Sequence, residues 1–192
     1  MSGLGNLWLM RFVVGPLHLG HQFSFWSDQS KKGICACGEI LGTAKSFNRA
    51  IQLVHDLKPV NDVVNVALKH LSPNGAASLE KLNQKLEAGH LWYKALSSSQ
   101  IDILQYHGRS IAVGRQTPRH PDPNGPPGEL VCILSLGQHT GGPGGALYVS
   151  SLNMIIPFPP GTFIFLRGGE LLHEILSWAE GQRYSITHFT HQ

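Results

Sequence analysis

Cysteine is scarce in this 192-residue chain. Cys35, Cys37 and Cys132 are an odd number without a spaced framework, which argues against a small secreted fold stapled by disulfides and leads us to expect the cytosol or nucleus. Charge is scarce too: 14% of residues are charged, against about a quarter in an average soluble domain. The net charge of +3 suits an anionic partner but is far from the dense basic stripe that argues nucleic acid unaided. Long apolar runs are also missing. Leu7 to Val14 is interrupted by Arg11, lacks a basic segment before it and is not followed by a small-x-small cleavage site, so no signal peptide is expected. Nothing approaches the roughly 20 apolar residues of a membrane span, and no membrane partner is expected.

Glycine (22) and proline (12), by contrast, are frequent and point to many turns. The length suits one structural domain. We expect residues 1–100 to form a strand and helical extension packed on a core spanning 101–192. Residues 1–42 mix aromatics (Trp8, Phe12, Phe23, Phe25, Trp26) with Gly15-Pro16 and Lys31-Lys32-Gly33, and read as strand and loop.

From Thr43, apolar residues recur at helical steps: Phe47, Ile51, Val54 and Leu57, with Pro59 ending the run. A second helix carries Val60, Val63, Val64, Ala67, Leu68 and Leu71 on one face and stops at Ser72-Pro73-Asn74-Gly75. A third begins near Ala76, shows Leu79, Leu82 and Leu86, and closes at Gly89. The remainder supplies the sheet these stripes need. Strands are expected at Ser110 to Gln116, Leu130 to Leu136, Leu147 to Phe158, Thr162 to Leu166, Leu171 to Leu176 and Arg183 to Thr190, each rich in Ile, Val, Phe or Tyr and bounded by Gly or Pro clusters. Short strands with tight turns and no intervening helices suggest a sandwich or jelly roll, so the fold class is mainly β with N-terminal helices.

One motif carries chemistry. In an extended segment, His120 and Asp122 of His120-Pro121-Asp122 point to the same side, making a two-ligand half-site. His173, in Leu171-Leu172-His173-Glu174-Ile175, would come from another strand. Two imidazoles and a carboxylate form the facial triad suited to ferrous iron, with positions left open for a co-substrate and O2; structural zinc needs a fourth, closing ligand. Arg183 and Ser185 share a face by the same period of two, and a guanidinium fork beside a hydroxyl suits the far carboxylate of a dicarboxylic acid. Chance is the alternative: with 11 histidines a lone His-x-Asp is often a surface turn, and Arg183 could serve an edge-strand ion pair.

As an ordered set these residues resemble the Fe(II)/2-oxoglutarate-dependent dioxygenases. The match spans about Arg109 to His191. It runs through Arg115-Gln116-Thr117-Pro118-Arg119-His120-Pro121-Asp122, Leu136-Gly137-Gln138-His139-Thr140-Gly141-Gly142, Pro160 to Gly168, Leu172-His173 and Gly181-Gln182-Arg183-Tyr184-Ser185. The chain looks most similar to the fungal TET/JBP-like branch, whose relatives oxidise the methyl group of 5-methylcytosine or thymine in DNA. The resemblance implies a double-stranded β-helix (a distorted jelly roll) buttressed by helices, with His120, Asp122 and His173 as catalytic iron ligands and Arg183 and Ser185 gripping 2-oxoglutarate. It implies oxidation of a methylated base in DNA with release of succinate and CO2, and a nuclear location. Pro121 departs from the more flexible residue usual between the two ligands.

Two other functions stay open. One is a prolyl-hydroxylase-like enzyme acting on a protein side chain; the other is a non-catalytic jelly-roll binding module with a degenerate site. Tyr106, His107, Arg109 and His139 are conceivable base contacts, though burial is the plainer expectation for each. Cys35-Ala36-Cys37 lacks the second pair of a zinc site. His188 and His191 face opposite sides of an expected strand, and His18 and His21 have no carboxylate partner.

Overall fold

Runs such as Val131-Cys132-Ile133-Leu134 and Phe163-Ile164-Phe165-Leu166 have the β-branched and aromatic content that fits a pleated surface, and glycine turns separate them. The computed structural model describes residues 19–28, 33–36, 43–89, 93–94, 105–122, 125–140 and 144–190. Its strands are β1 (Leu19–Asp28), β2 (Gly33–Ala36), β3 (Gly108–Val113), β4 (Val131–Thr140), β5 (Leu147–Val149), β6 (Met154–Ile156), β7 (Phe163–Leu166), β8 (His173–Ile175) and β9 (Glu180–Phe189). The helices are α1 (Ala44–Asp56), α2 (Lys58–Leu71) and α3 (Pro73–Gly89).

Two sheets face each other. The larger has the order β2-β1-β3-β9-β4-β7 and the smaller β6-β5-β8, extended beyond β8 by an antiparallel bridge between His120 and His173. All the strand pairs are antiparallel. From β3 onward the chain passes repeatedly between the sheets. Their inner faces meet in one core, with Val131, Ile133 and Leu166 from the larger sheet, Leu147, Val149 and Ile175 from the smaller, and Phe158 among them. Four strands (β3, β9, β4, β7) opposed to a bridge and three more (β8, β5, β6) make a double-stranded β-helix, the distorted jelly roll.

The helices cover the outer face of the larger sheet. Val64, Leu68, Ala76 and Leu79 close over Cys132 and Tyr106, while Leu57 packs with Leu134 and Ile186. Burying each such aliphatic side chain contributes about 1.5–3 kcal/mol. Tyr106 donates its hydroxyl to the Leu130 carbonyl at 2.6 Å. Asn65 of α2 accepts the Gln105 N–H at 3.0 Å, and Asn83 of α3 donates to the Gln105 carbonyl at 3.3 Å. The helical pair is thereby tied to the segment that starts β3.

Several expectations shift. Val63 and Leu71, expected on the buried stripe of α2, are half exposed, and the buried line is Asn61, Val64 and Leu68. The third helix starts at Pro73 rather than near Ala76, because proline's fixed φ suits a first helical turn that needs no N–H. The expected strand Leu147 to Phe158 is broken: a 3-10 turn (Ser150–Leu152) and left-handed Asn153 (φ 50) fold it into β5 and β6. Left-handed Gly114 (φ 61) ends β3 before Gln116. The Phe47 side chain and the boundary expected near residue 100 lie outside the described residues. Among the described residues no helix is long and apolar enough to cross a membrane.

Candidate functional site

His120 belongs to no strand. Its N–H donates to the His173 carbonyl and its carbonyl accepts the His173 N–H, both at 3.0 Å, which seats this single residue on the edge of β8. Further along, Asp122 N–H donates to the Gly168 carbonyl at 2.8 Å. Bonded residues alternate with Pro121, so the proline falls where an extended edge turns its N–H outward and no ladder bond is lost. The period of two therefore survives around Pro121. The imidazoles of His120 and His173 lie with ring centroids 4.6 Å apart, His120 Nε2 is 3.5 Å from Asp122 Oδ1, and one ligand atom from each of the three residues falls within 4.8 Å of the others.

Both rings are held in one tautomer. His120 Nδ1 meets the Pro118 carbonyl at 2.8 Å and His173 Nδ1 meets the Leu171 carbonyl at 2.8 Å. A carbonyl only accepts, so Nδ1 carries the proton and the Nε2 lone pair is left for a cation. Two such lone pairs beside one carboxylate fit a divalent metal of imidazole and carboxylate preference. Among the described residues the cluster has three members, which leaves coordination positions for a substrate. On the outside of the smaller sheet, Arg119 donates through Nε and Nη2 to Glu174 Oε1 at 3.1 and 2.9 Å, with its guanidinium 5.7 Å from the Tyr148 ring centre. The hydrogen bond to Glu174, then its charge, raises the Arg119 pKa. These neighbours of the two histidines staple the bridging segment to β8.

A second cluster lies on β4 and β9. Their register sets Ser135 opposite Ser185 and Gly137 opposite Arg183, on the interior face. Arg183 is 2% exposed, and its Nε and Nη2 have no hydrogen-bond partner among the described residues. Burial pulls its pKa down to about 10. Its guanidinium sits 5.3 Å from the ring centre of Phe158, a member of the same interior core as Ile175, two residues from His173. Ser135 is fully buried with a hydroxyl that has no partner among the described residues, and Ser185 is buried opposite it. His139 is held below its usual pKa by burial first and then by the Arg183 charge, against a smaller opposing pull from the Phe158 backbone. A Cβ on Gly145 (φ +68) would lie 3.1 Å from Arg183 Cδ, so its bare backbone lets the guanidinium pass. A positive charge, two hydroxyls and an imidazole, with no acidic side chain among these four residues, have the chemistry that suits a carboxylate.

The structure thus brings together His120, Asp122 and His173, and separately Arg183 and Ser185. Ser135 and Phe158 had no role in the sequence reading, since only the cross-strand register places them by Arg183. Tyr106, His107 and Arg109 do not line the interior. Tyr106 packs beneath the helices, His107 meets Asn83 of α3 at 2.9 Å, and Arg109 pairs in register with His188 on the outer face. His188 is fully buried there, its pKa pushed down to about 3 by burial and by the Arg109 charge. His18, Cys37 and His191 lie outside the described residues, and of His21 and Cys35 only the strand backbone is described.

The fold defines a class, the antiparallel double-stranded β-helix with helices on its larger sheet. Among solved structures, NgTET1 in complex with 5mC DNA shares this architecture with a TM-score of 0.68 at 15% identity, over 90% of this chain. The chain spans 61% of the length of that one. At such identity the likeness is one of fold. A viral collagen prolyl hydroxylase from Paramecium Bursaria Chlorella virus-1 in its 2OG complex (TM-score 0.34, 19% identity, 50% of this chain and 65% of that one) superposes too loosely to add to it. So does a cupin from Desulfovibrio desulfuricans (TM-score 0.29, 15% identity, 42% of this chain and 71% of that one). No protein-family model matches the chain, and no curated protein matches it in sequence.

Proposed function

We propose that the chain is an Fe(II)- and 2-oxoglutarate-dependent dioxygenase that oxidises the methyl group of a methylated base in DNA. The observation that carries the reading is the buried Arg183 guanidinium, without a partner at Nε and Nη2 among the described residues, in the same barrel as a His-Asp-His cluster whose lone pairs are already freed. A buried cation without an anion is costly unless a ligand supplies one. In this reading His120, Asp122 and His173 hold the iron. Arg183 would take the distal carboxylate of 2-oxoglutarate, with Ser185 and Ser135 as hydroxyl donors beside it in the cross-strand register. Phe158 and the apolar core keep water from that end. When bound, the iron and the 2-oxo acid supply the oxidant from O2, with release of succinate and CO2.

The choice of substrate rests on the shared fold with NgTET1, which is described in complex with 5mC DNA, and on the net charge of +3. A methylated base would have to leave the duplex to reach the barrel mouth, at a cost of a few kcal/mol in lost stacking. Such an enzyme would work in the nucleus. Incubation with methylated and unmethylated oligonucleotides, 2-oxoglutarate and Fe(II), followed by nucleoside mass spectrometry and succinate assay, tests both levels. Oxidised 5-methylcytosine with matching succinate supports the proposal. Succinate formation stimulated by a proline-containing peptide and not by DNA would refute the DNA substrate, and no 2-oxoglutarate turnover under any condition would refute the oxygenase.

A further inference from the structure

Gly168 opens the turn after β7 in the run Arg167-Gly168-Gly169-Glu170, and it is buried. Its φ lies outside the left-handed region, so the backbone there would accept any residue. Space, not conformation, demands the glycine. A Cβ at Gly168 would lie 1.9 Å from Asp122 Oδ2, 2.9 Å from Asp122 Cγ and 3.0 Å from Val131 Cγ2. The closest atom by far is the free end of a metal-ligating carboxylate. Meanwhile the Gly168 carbonyl accepts the Asp122 N–H at 2.8 Å, so the backbone of Asp122 cannot retreat without losing that bond. On the other side stands His120 Nε2, 3.5 Å from Oδ1.

We propose that Gly168 is a positioning residue of the metal site: its bare Cα is the surface against which the Asp122 carboxylate rests, and this sets the rotamer that aims Oδ1 at the cluster. A methyl group there has one inexpensive way out. The carboxylate swings about χ1 or χ2, because a side-chain end moves far more readily than two hydrogen-bonded backbones. The fold is kept and the third ligand is misaligned. This inference rests on the metal-site reading above.

The test uses the full chain in four forms: wild type, Gly168→Ala, Asp122→Ala and the double variant. Each is titrated with Mn(II) by calorimetry, and its Tm is measured. Wild type should bind, and Gly168→Ala should bind about 10–100-fold more weakly, the usual effect of disturbing a ligand's support. In the Asp122→Ala background, where no carboxylate remains to displace, Gly168→Ala should cost nothing further. Equal Mn(II) affinity for wild type and Gly168→Ala, with Asp122→Ala impaired, would overturn this inference alone. An equal loss from Gly168→Ala in both backgrounds would do the same, since the glycine would then serve the fold. Absence of binding by the wild type would remove both the inference and the site beneath it. If Gly168→Ala fails to fold, recovery of the fold in the double variant supports the steric conflict, and failure in both overturns it.

Discussion

Replacing Arg183 with methionine should make the ligand-free protein more stable while destroying its affinity for 2-oxoglutarate. Burial lowers the Arg183 pKa to about 10, so near neutral pH the guanidinium stays charged inside the barrel and the unfolded chain holds that proton more tightly. At about 1.4 kcal/mol per pH unit, the penalty on the unliganded fold is about 3 kcal/mol, fully present below pH 10. Methionine nearly fills the same volume without the charge. It loses the contact with the Phe158 ring, worth about 0.5–2 kcal/mol for a cation over an aromatic face. The net gain is on the order of 1–2 kcal/mol, or a Tm about 2–8 °C higher at this chain length. The assay is thermal unfolding of wild type and Arg183→Met in Mn(II), with and without 2-oxoglutarate at about 100 times Kd, a concentration that adds about 2.7 kcal/mol to the wild type. Wild type should gain with ligand and Arg183→Met should not. A markedly lower Tm for unliganded Arg183→Met, or an equal ligand-induced rise in both chains, would refute the anion-receptor argument.

Ser135→Ala and Ser185→Ala should each weaken 2-oxoglutarate binding by about 10–150-fold, the value of one hydrogen bond to a charged group, and leave Mn(II) affinity unchanged by calorimetry. His188 gives a pH dependence. Its folded pKa is lowered to about 3 while the unfolded chain titrates near 6.5, so its contribution is present above pH 6.5 and is lost as pH falls toward 3. The loss is about 2 kcal/mol by pH 5; urea unfolding at pH 7 and pH 5 should show it in wild type, and His188→Leu should remove about one proton from the slope. Glu174→Gln should leave Tm little changed, because Arg119 and Glu174 are a surface pair. It should nonetheless weaken Mn(II) binding severalfold in calorimetry, since the pair staples His120 to β8; unchanged affinity would mean that the backbone bridge suffices.

How much of this was legible beforehand follows from where each piece of information resides. His120 and Asp122 converge because period-two geometry acts over three residues, and the same rule puts Arg183 and Ser185 on one face. Such local facts can be read from a sequence. So could the helices, whose stripes at Val64, Leu68, Leu79 and Leu86 follow from helical periodicity. The break within Leu147 to Phe158 was hidden because no glycine or proline marks the turn from Ser150 to Asn153. That His120 is a lone bridge could not be seen in its neighbours, since its pairing partner is fifty-three residues away. Ser135, Phe158 and Gly168 were illegible for the same reason: each depends on a partner across the barrel.

The double-stranded β-helix stands on topology and on the fold shared with NgTET1. The chemistry proposed for it stands on the His120, Asp122 and His173 cluster and on the buried Arg183 of the same barrel. The most direct measurement is anaerobic titration of the purified chain with Fe(II) and then 2-oxoglutarate, following the visible charge-transfer absorption of a 2-oxo acid chelated to ferrous iron. The band should develop with one equivalent of each in wild type, fail in Asp122→Ala, and require far more 2-oxoglutarate in Arg183→Met. A wild type without the band, or a band indifferent to both substitutions, would contradict the assignment of iron to His120, Asp122 and His173 and of the dicarboxylate to Arg183.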